Sequence, residues 1–261
     1  MKKIGIIGGG NMGTAILAGI QKHYAVSVCE KEDKKALKIR RRFAVKTSDI
    51  PQAIKESQII ILAVKPQDFG AILEEIQACL KTEKLFISIA AGITTSFIEK
   101  KLGSQAKVVR AMPNLPAMIG EGMTALCQGR RAKRRDLLLA QEIFDHIGKT
   151  VLLTEKDLDS VTAISGSGPA YVFYFVECME KAAKKLGLKG SAAQALIQQT
   201  LKGTIHLLDV HRGQAAPLRK KVTSKAGTTE AALKVLMKGG FEKLIINALW
   251  AAKARAGKLS R

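Results

Sequence analysis

"IGIIGGGNMGTAILAGI", Ile4 to Ile20, is the stretch whose reading decides the fold. A short run of branched apolar residues stops at a cluster of glycines, and an amphipathic helical pattern begins directly behind it. Gly8, Gly10 and Gly13 fall in the G-x-G-x-x-G spacing. In that spacing the glycines permit a tight turn, close backbone approach to a pyrophosphate, and close packing of helix on strand. The helix N-terminus then offers free N–H groups and a partial positive charge to the phosphates. Three glycines alone say little. A strand before them, a helix after them and an acidic residue closing the next strand make the motif specific. That acidic residue is Glu30, behind "AVSVC" (Ala25 to Cys29).

Glu30 bears on which dinucleotide binds. A carboxylate there accepts from a ribose 2′-hydroxyl and repels a 2′-phosphate, which favours NADH. Lys31, with Lys34 and Lys35 close behind, offers charges that could hold that phosphate, which favours NADPH. From the sequence both stay open. Lys65 in "AVKPQ" (Ala63 to Gln67) and Asn114 in "RAMPN" (Arg110 to Asn114) each follow a strand, on the edge where such sheets bind ligands. Spacing alone makes each equally a cofactor contact or part of a structural turn.

Working outward, the apolar runs "KIGIIG", "AVSVC", "QIIILAV", "LFISIA", "KVVRAM" and "TVLLT" alternate with helical patterns such as Asn11 to Lys22, Gln67 to Leu80 and Lys133 to Ile147. Continuous β-branched runs separated by helices specify a mostly parallel sheet covered on both faces. Past Thr154 the strand signals stop. Helical stripes follow at about Glu155 to Ile164, Pro169 to Leu186, Ser191 to Val210, Thr228 to Lys238 and Phe241 to Arg255. The expected fold class is therefore α/β then all-α: a Rossmann-type doubly wound domain over residues 1–154 and an all-helical domain over 155–261.

The totals narrow the partners. Lys and Arg outnumber Asp and Glu 43 to 22, for a formal charge of +21. Such an excess suits nucleic acid or a membrane surface. However, both halves are basic, and the densest clusters, "KIRRRF" and "RRAKRRD", are not interleaved with stacking aromatics. A generally basic, solvated surface is the expectation, with no nucleic-acid or membrane partner. The four cysteines are scattered in apolar surroundings and form neither a disulfide frame nor a metal clip. The opening "MKKIGIIGGG" is too short and glycine-rich for a signal peptide, and no apolar run approaches a membrane span. A cytoplasmic protein without a bound metal is expected.

A dinucleotide site implies hydride transfer, yet no histidine sits in a recognisable proton-donating arrangement. The chain offers instead "VTSKAGTTEAALKV" (Val222 to Val235), a helix start crowded with hydroxyls. Ser, Thr and Gly also serve as ordinary helix caps. Alternatively, N–H groups around Gly227 and Thr228, with the Ser224 hydroxyl, grip a carboxylate, while Thr229 hydrogen-bonds a second polar atom. A reaction that needs little acid help fits such a site. Reduction of a protonated C=N bond is one, because its positive charge already attracts hydride.

In combination, "GGGNMG" (Gly8–Gly13), "AVKPQ", "RAMPN", "SGSGPAY" (Ser165–Tyr171) and "VTSKAGTT" (Val222–Thr229) resemble the pyrroline-5-carboxylate reductase family over nearly the whole chain. The resemblance implies a helical domain that builds an intertwined homodimer, often within a ring of dimers. It implies reduction of the cyclic imine 1-pyrroline-5-carboxylate to L-proline by NADPH or NADH. Carried over, the cofactor contacts are Gly8, Gly9, Gly10, Asn11, Met12, Gly13, Ala63, Val64, Lys65 and Pro66. Ser224, Gly227 and Thr228 bind the carboxylate, and Thr229 hydrogen-bonds the ring nitrogen. The chain departs from the family's usual Ser-Pro-Gly-Gly-Thr-Thr by carrying Lys225 and Ala226. Ala226 is strained if that position needs φ > 0. Lys220, Trp250 and Lys258 also stand where the family usually has acidic residues. Two other readings are compatible with these departures: a reductase of another small imino or keto acid, and a non-catalytic basic binding or regulatory relative.

Overall fold

A computed structural model describes residues 1–259. The first part alternates strand and helix: β1 Lys3–Ile7, α1 Asn11–Ile20, β2 Ala25–Cys29, α2 Asp33–Phe43, β3 Lys46–Thr47, α3 Ile50–Glu56, β4 Ile59–Leu62, α4 Phe69–Cys79, β5 Lys84–Ser88, α5 Thr95–Leu102 and β6 Ala106–Met112. β7 Gly122–Gln128, α6 Arg134–Asp145 and β8 Gly148–Leu152 complete the sheet. The helical part comprises α7 Leu158–Val161, α8 Gly168–Lys185, α9 Gly190–Val210, α10 Ala215–Lys221, α11 Thr228–Lys238 and α12 Phe241–Leu259. Among the described residues, no helix is long and apolar enough to cross a membrane.

The sheet order is β3-β2-β1-β4-β5-β6-β7-β8. Strands β1 to β6 pair in parallel, as their unbroken Ile, Val and Leu runs require. Successive side chains leave the sheet on opposite faces, and the core divides accordingly. Ile4, Ile6, Ile59, Ile61 and Ile87 meet α1 and α6 on one face. Ile7, Ile60, Leu62 and Phe86 meet α3, α4 and α5 on the other. Chain order reverses between β1 and β4, and the register Ile7↔Cys29 and Ile7↔Leu62 sets the carboxyl ends of β1, β2 and β4 level. Sheets of this kind bind ligands at that switch point.

Two strands were not expected. β3 is a two-residue edge, and β7 runs antiparallel to β6 with β8 parallel to β7. "GMTALCQ" lacks a branched run, and its place in the sheet is fixed by its neighbours more than by its own pattern. The stripe at Glu155 to Ile164 is also not one α-helix. It is a 3-10 turn at Glu155–Asp157, the single turn α7, and a π-turn at Thr162–Gly166. α10 adds a helix that the periodicity did not show.

By packing, the chain forms two compact units. One comprises Met1–Pro169 with residues 251–259; the other is Ala170–Trp250. In the first, the end of α12 runs against the β5–α5 loop. A Cβ on Gly92, whose φ is +75°, would lie 2.6 Å from the Leu259 carbonyl oxygen. The second unit is helical and nearly coreless. Among its residues only Ala193 and Ile197 are buried hydrophobics, whereas Tyr174 is 64%, Val235 72% and Leu244 63% exposed.

Ile61, fully buried in the central strand β4, tests the layered core. Ile61→Ala is expected to cost about 2–5 kcal/mol through lost transfer energy and a cavity. The measurement is urea-induced unfolding. A loss below about 1 kcal/mol would mean that β4 is not central.

Candidate functional site

The glycine loop between β1 and α1 is built against the β4 end with no space to spare. Gly8, at φ +108°, donates its N–H to the Cys29 carbonyl at 2.8 Å. A Cβ there would lie 2.5 Å from the Ala63 carbonyl oxygen, and one on Gly13 would overlap the Gly8 carbonyl oxygen. Gly10 differs: a Cβ on it meets nothing within 4 Å. The loop is thus tight where it packs and open where it points outward, as a phosphate cradle requires. Gly10 caps α1 in an extended conformation without a side-chain hydrogen bond, so the first N–H groups, on Asn11, Met12 and Gly13, stay available. Asn11 is exposed, while Met12 packs partly into the core.

Glu30 stands beside this loop. Its Oε2 accepts from the Gly9 N–H at 2.9 Å and its Oε1 from the Glu32 N–H at 3.0 Å. Lys31 is exposed, and Lys35 pairs with Glu32 at 2.6 Å. Ala63 and Val64 form the turn after β4 against Gly8, with Ala63 N–H donating to the Ile7 carbonyl. Exposed Lys65 and then Pro66 open the 3-10 turn that leads into α4. Gly8 to Gly13, Glu30, Lys31 and Ala63 to Pro66 therefore gather at one edge of the sheet. Asn114 is placed differently. Its Oδ1 accepts from Met123 N–H at 2.8 Å, and its Nδ2 donates to the backbone and hydroxyl oxygens of Ser165, both at 3.3 Å. Its side chain ties the loop after β6 to the π-turn; a structural role is visible.

The second seat lies in the other unit. Ser224 to Gly227 form a turn closed by Gly227 N–H donating to the Ser224 carbonyl at 3.1 Å. Its third residue, Ala226, has φ +60°, the pattern of a type II turn, which favours Gly there. The Ala226 N–H donates to Glu230 Oε2 at 2.7 Å. Gly227 caps α11 in an extended conformation, and a Cβ on it would overlap the Ser224 hydroxyl. Of the N–H groups around Gly227 and Thr228, that of Gly227 is taken up by this turn. The open N–H groups lie one residue on, at Thr228, Thr229 and Glu230. Ser224 and Thr228 are exposed, and Thr229 is half-buried.

The rest of the chain offers little competing chemistry. His23 and His146 stack on each other at 3.9 Å. Burial pushes the Cys29 thiol up to about 11 and the Cys127 thiol up to about 12, so both stay protonated near neutral pH. Cys178, contrary to the apolar setting expected for it, is exposed. Among the described residues, no group of His, Cys, Asp or Glu is arranged to hold a metal.

Sequence reasoning passed over Arg110. It is 2% exposed in β6 and pairs with Glu155 at 3.4 Å and Asp159 at 4.0 Å. Glu155 also accepts from the Thr95 N–H and hydroxyl, both at 2.7 Å. The signal was present: an Arg inside the apolar run "KVVRAM" must find an anion.

A glycine-lined cradle for a dinucleotide at the switch point is the mark of a nicotinamide-dependent oxidoreductase. Comparisons with known proteins agree and sharpen this. The profile "Pyrroline-5-carboxylate reductase dimerisation" matches residues 155–259. A second, "NADP oxidoreductase coenzyme F420-dependent", matches residues 3–92. The chain is 36% identical to pyrroline-5-carboxylate reductase 2 of Bacillus subtilis, covering 99% of this chain and 95% of that protein. It is 38% identical to the Synechocystis enzyme, over 99% and 98%. The solved pyrroline-5-carboxylate reductase of Coxiella burnetii superposes with TM-score 0.90 at 36% identity, covering 99% and 98% of the two chains. That of Plasmodium falciparum, solved with NADP bound, gives 0.88 at 30%, over 100% and 98%. The chain belongs to the pyrroline-5-carboxylate reductase family.

Ala226 yields a test at this site. A left-handed conformation costs a non-glycine residue about 1–2 kcal/mol. Ala226→Gly is therefore expected to stabilise the protein by about 1 kcal/mol, allowing for glycine's greater unfolded-state entropy. The urea midpoint should rise. A fall would show that the alanine backbone is unstrained.

Proposed function

We propose that this chain reduces 1-pyrroline-5-carboxylate to L-proline with NADH or NADPH, the last step of proline synthesis. The observation that carries the reading is the pair of glycine-capped helix starts, each with open N–H groups, in a chain of this family. The first fits a pyrophosphate: Gly8 and Gly13 admit no side chain, and Gly10 leaves open space above the N–H groups of α1. When bound there, the nicotinamide supplies hydride to the imine carbon.

The chain's own residues do the rest. Asn11, Met12 and Gly13 present N–H groups to phosphate, with Gly8, Gly9 and Gly10 shaping the loop, and Ala63 to Pro66 flank it. Glu30 and Lys31 stand where the adenosine ribose is read. On α11, the N–H groups of Thr228 and Thr229 with the Ser224 hydroxyl hold the substrate carboxylate, and the helix dipole adds to the attraction. Thr229 Oγ1 hydrogen-bonds the ring nitrogen. No strong acid is needed, because a protonated imine is already electron-poor. Lys225, exposed beside the seat, adds positive charge for the carboxylate. Asn114 acts by holding the loop after β6. We place the functional boundary at 154/155, between the nucleotide-binding domain and the domain for dimerisation and substrate.

The exposed apolar surface of Ala170–Trp250 supports a homodimer, and a ring of dimers is the larger assembly proposed. Each large side chain covered adds roughly 1.5–3 kcal/mol. The reading also places the protein in the cytoplasm, without nucleic-acid or membrane partners. Its basic clusters offer no free base-stacking ring; Phe43, within one cluster, is partly buried against the core with Arg42 over its ring.

Purified protein should oxidise NADH or NADPH only when the cyclic imine is added, followed by absorbance at neutral pH. Absence of turnover with either coenzyme rejects the reading. Turnover of another small imino or keto acid alone would move it to a neighbouring substrate. Thr229→Ala should lower kcat about ten- to a hundredfold, the loss of one hydrogen bond to a charged group, with coenzyme affinity unchanged. Sedimentation at micromolar concentration should show a dimer or a multiple of it. A stable monomer would contradict the exposed apolar surface.

A further inference from the structure

Resting on the nucleotide site proposed above, we propose that Glu30 is a specificity-determining residue that makes this chain discriminate against a 2′-phosphate, so that its preferred coenzyme is NADH.

The carboxylate is fixed by the loop it serves. Both oxygens accept backbone N–H groups, Gly9 at 2.9 Å and Glu32 at 3.0 Å. Neighbouring packing leaves little slack, because a Cβ on Gly9 would overlap Ile39 of α2 and lie 2.9 Å from Glu30 Oε2. A carboxylate has about four acceptor positions. Two are occupied by the protein, and two remain for hydroxyls of a ribose. For a 2′-hydroxyl this is a pre-built acceptor. A 2′-phosphate would meet a like charge that cannot swing away without abandoning two charge-assisted hydrogen bonds.

The lysines do not reverse this. Lys35 is drawn onto Glu32 at 2.6 Å. Lys31 and Lys34 are exposed, on flexible stems, and among the described residues no hydrogen bond or ion pair fixes either. Exposed charges act through water and are screened within roughly 8–10 Å at ordinary salt. They attract any polyanion, the pyrophosphate common to both coenzymes included, and add only a weak, salt-screened preference for an extra phosphate. The fixed carboxylate acts on the 2′ position alone. Held close and partly buried, it outweighs the mobile cations.

The test separates nucleotide reading from catalysis. ADP-ribose and 2′-phospho-ADP-ribose, which carry the adenosine end without nicotinamide, are titrated calorimetrically into the full-length protein at low and moderate salt. The wild type should bind ADP-ribose about tenfold more tightly or better, the scale of one like-charge contact near a surface. The kcat/KM ratio of NADH to NADPH should follow in the same direction. Glu30→Gln keeps an oxygen acceptor for the Gly9 N–H and removes the charge; it should bring the two affinities together. Glu30→Ser, which removes both, should let Lys31 and Lys34 favour the phosphorylated compound, most visibly at low salt. Equal or tighter wild-type binding of 2′-phospho-ADP-ribose overturns the proposal alone, as does an unchanged ratio in a folded Glu30→Gln variant. Failure of both compounds to bind overturns the nucleotide site beneath it as well.

Discussion

The molecule depends on a backbone contact that no side chain can enter. Where β1 hands over to α1, Gly8 lies against the Ala63 carbonyl and Gly13 against the Gly8 carbonyl. Any Cβ there would push the helix off the strand or the loop off β4. The same contact fixes where the N–H groups of Asn11 to Gly13 point, and it closes the crevice between β1 and β4 on one side. The parallel register of β1, β2 and β4 supplies the flat floor, and Glu30 supplies the wall. Burial of Ile4, Ile6, Ile59 and Ile61 stabilises this floor, but burial alone would tolerate many loop conformations. The glycines select one.

A polar tie does comparable positioning at the far side of the sheet. Arg110 is buried, and its Nε and Nη2 lack hydrogen-bond partners, so its charge rests on Glu155 and the more distant Asp159. A buried pair of this kind contributes little net stability, whereas losing one partner leaves an uncompensated charge and costs several kcal/mol. Its value is geometric. It pins the 3-10 turn and α7, which follow the last strand, to the end of β6, while Asn114 pins the π-turn two residues beyond that strand. π-turns recur at functional positions. Here one directly precedes "GPAY", where α8 begins.

What the sequence made legible follows from which forces are local. Ile59 to Leu62 could only be a buried strand, and Thr228 to Lys238 matches α11 residue for residue, because period and cap are written in the chain itself. β3 and β7 were missed because two edge residues and a mixed "GMTALCQ" acquire their structure from partners. The glycine loop was legible because its chemistry needs a fixed spacing. The fate of the Gly227 N–H was not, because only the turn geometry shows that Ser224 O consumes it. Ala226 lies between these cases: its strain was conditional on a positive φ, and that φ is present.

The choice between an ordinary cap and an anion seat at "VTSKAGTT" can be argued from the other helices of the same chain. Asp49 caps α3 by accepting from Gln52 N–H, and Thr94 caps α5 by accepting from Phe97 N–H. Each of those side chains takes up one of the first-turn donors a ligand would use. Glycine caps α1 and α11 and no other helix whose cap is described. Replacing a good cap by glycine costs only a few tenths of a kcal/mol, so leaving the donors open is cheap in stability. At α11 four hydroxyl residues, Thr223, Ser224, Thr228 and Thr229, lie within four positions of the cap, yet none bonds the first-turn N–H groups. Glu230 instead reaches back to the Ala226 N–H and leaves the helix start clear. A helix needing only to be stable would have used the hydroxyl it already carries, and that supports a seat kept open for an anion.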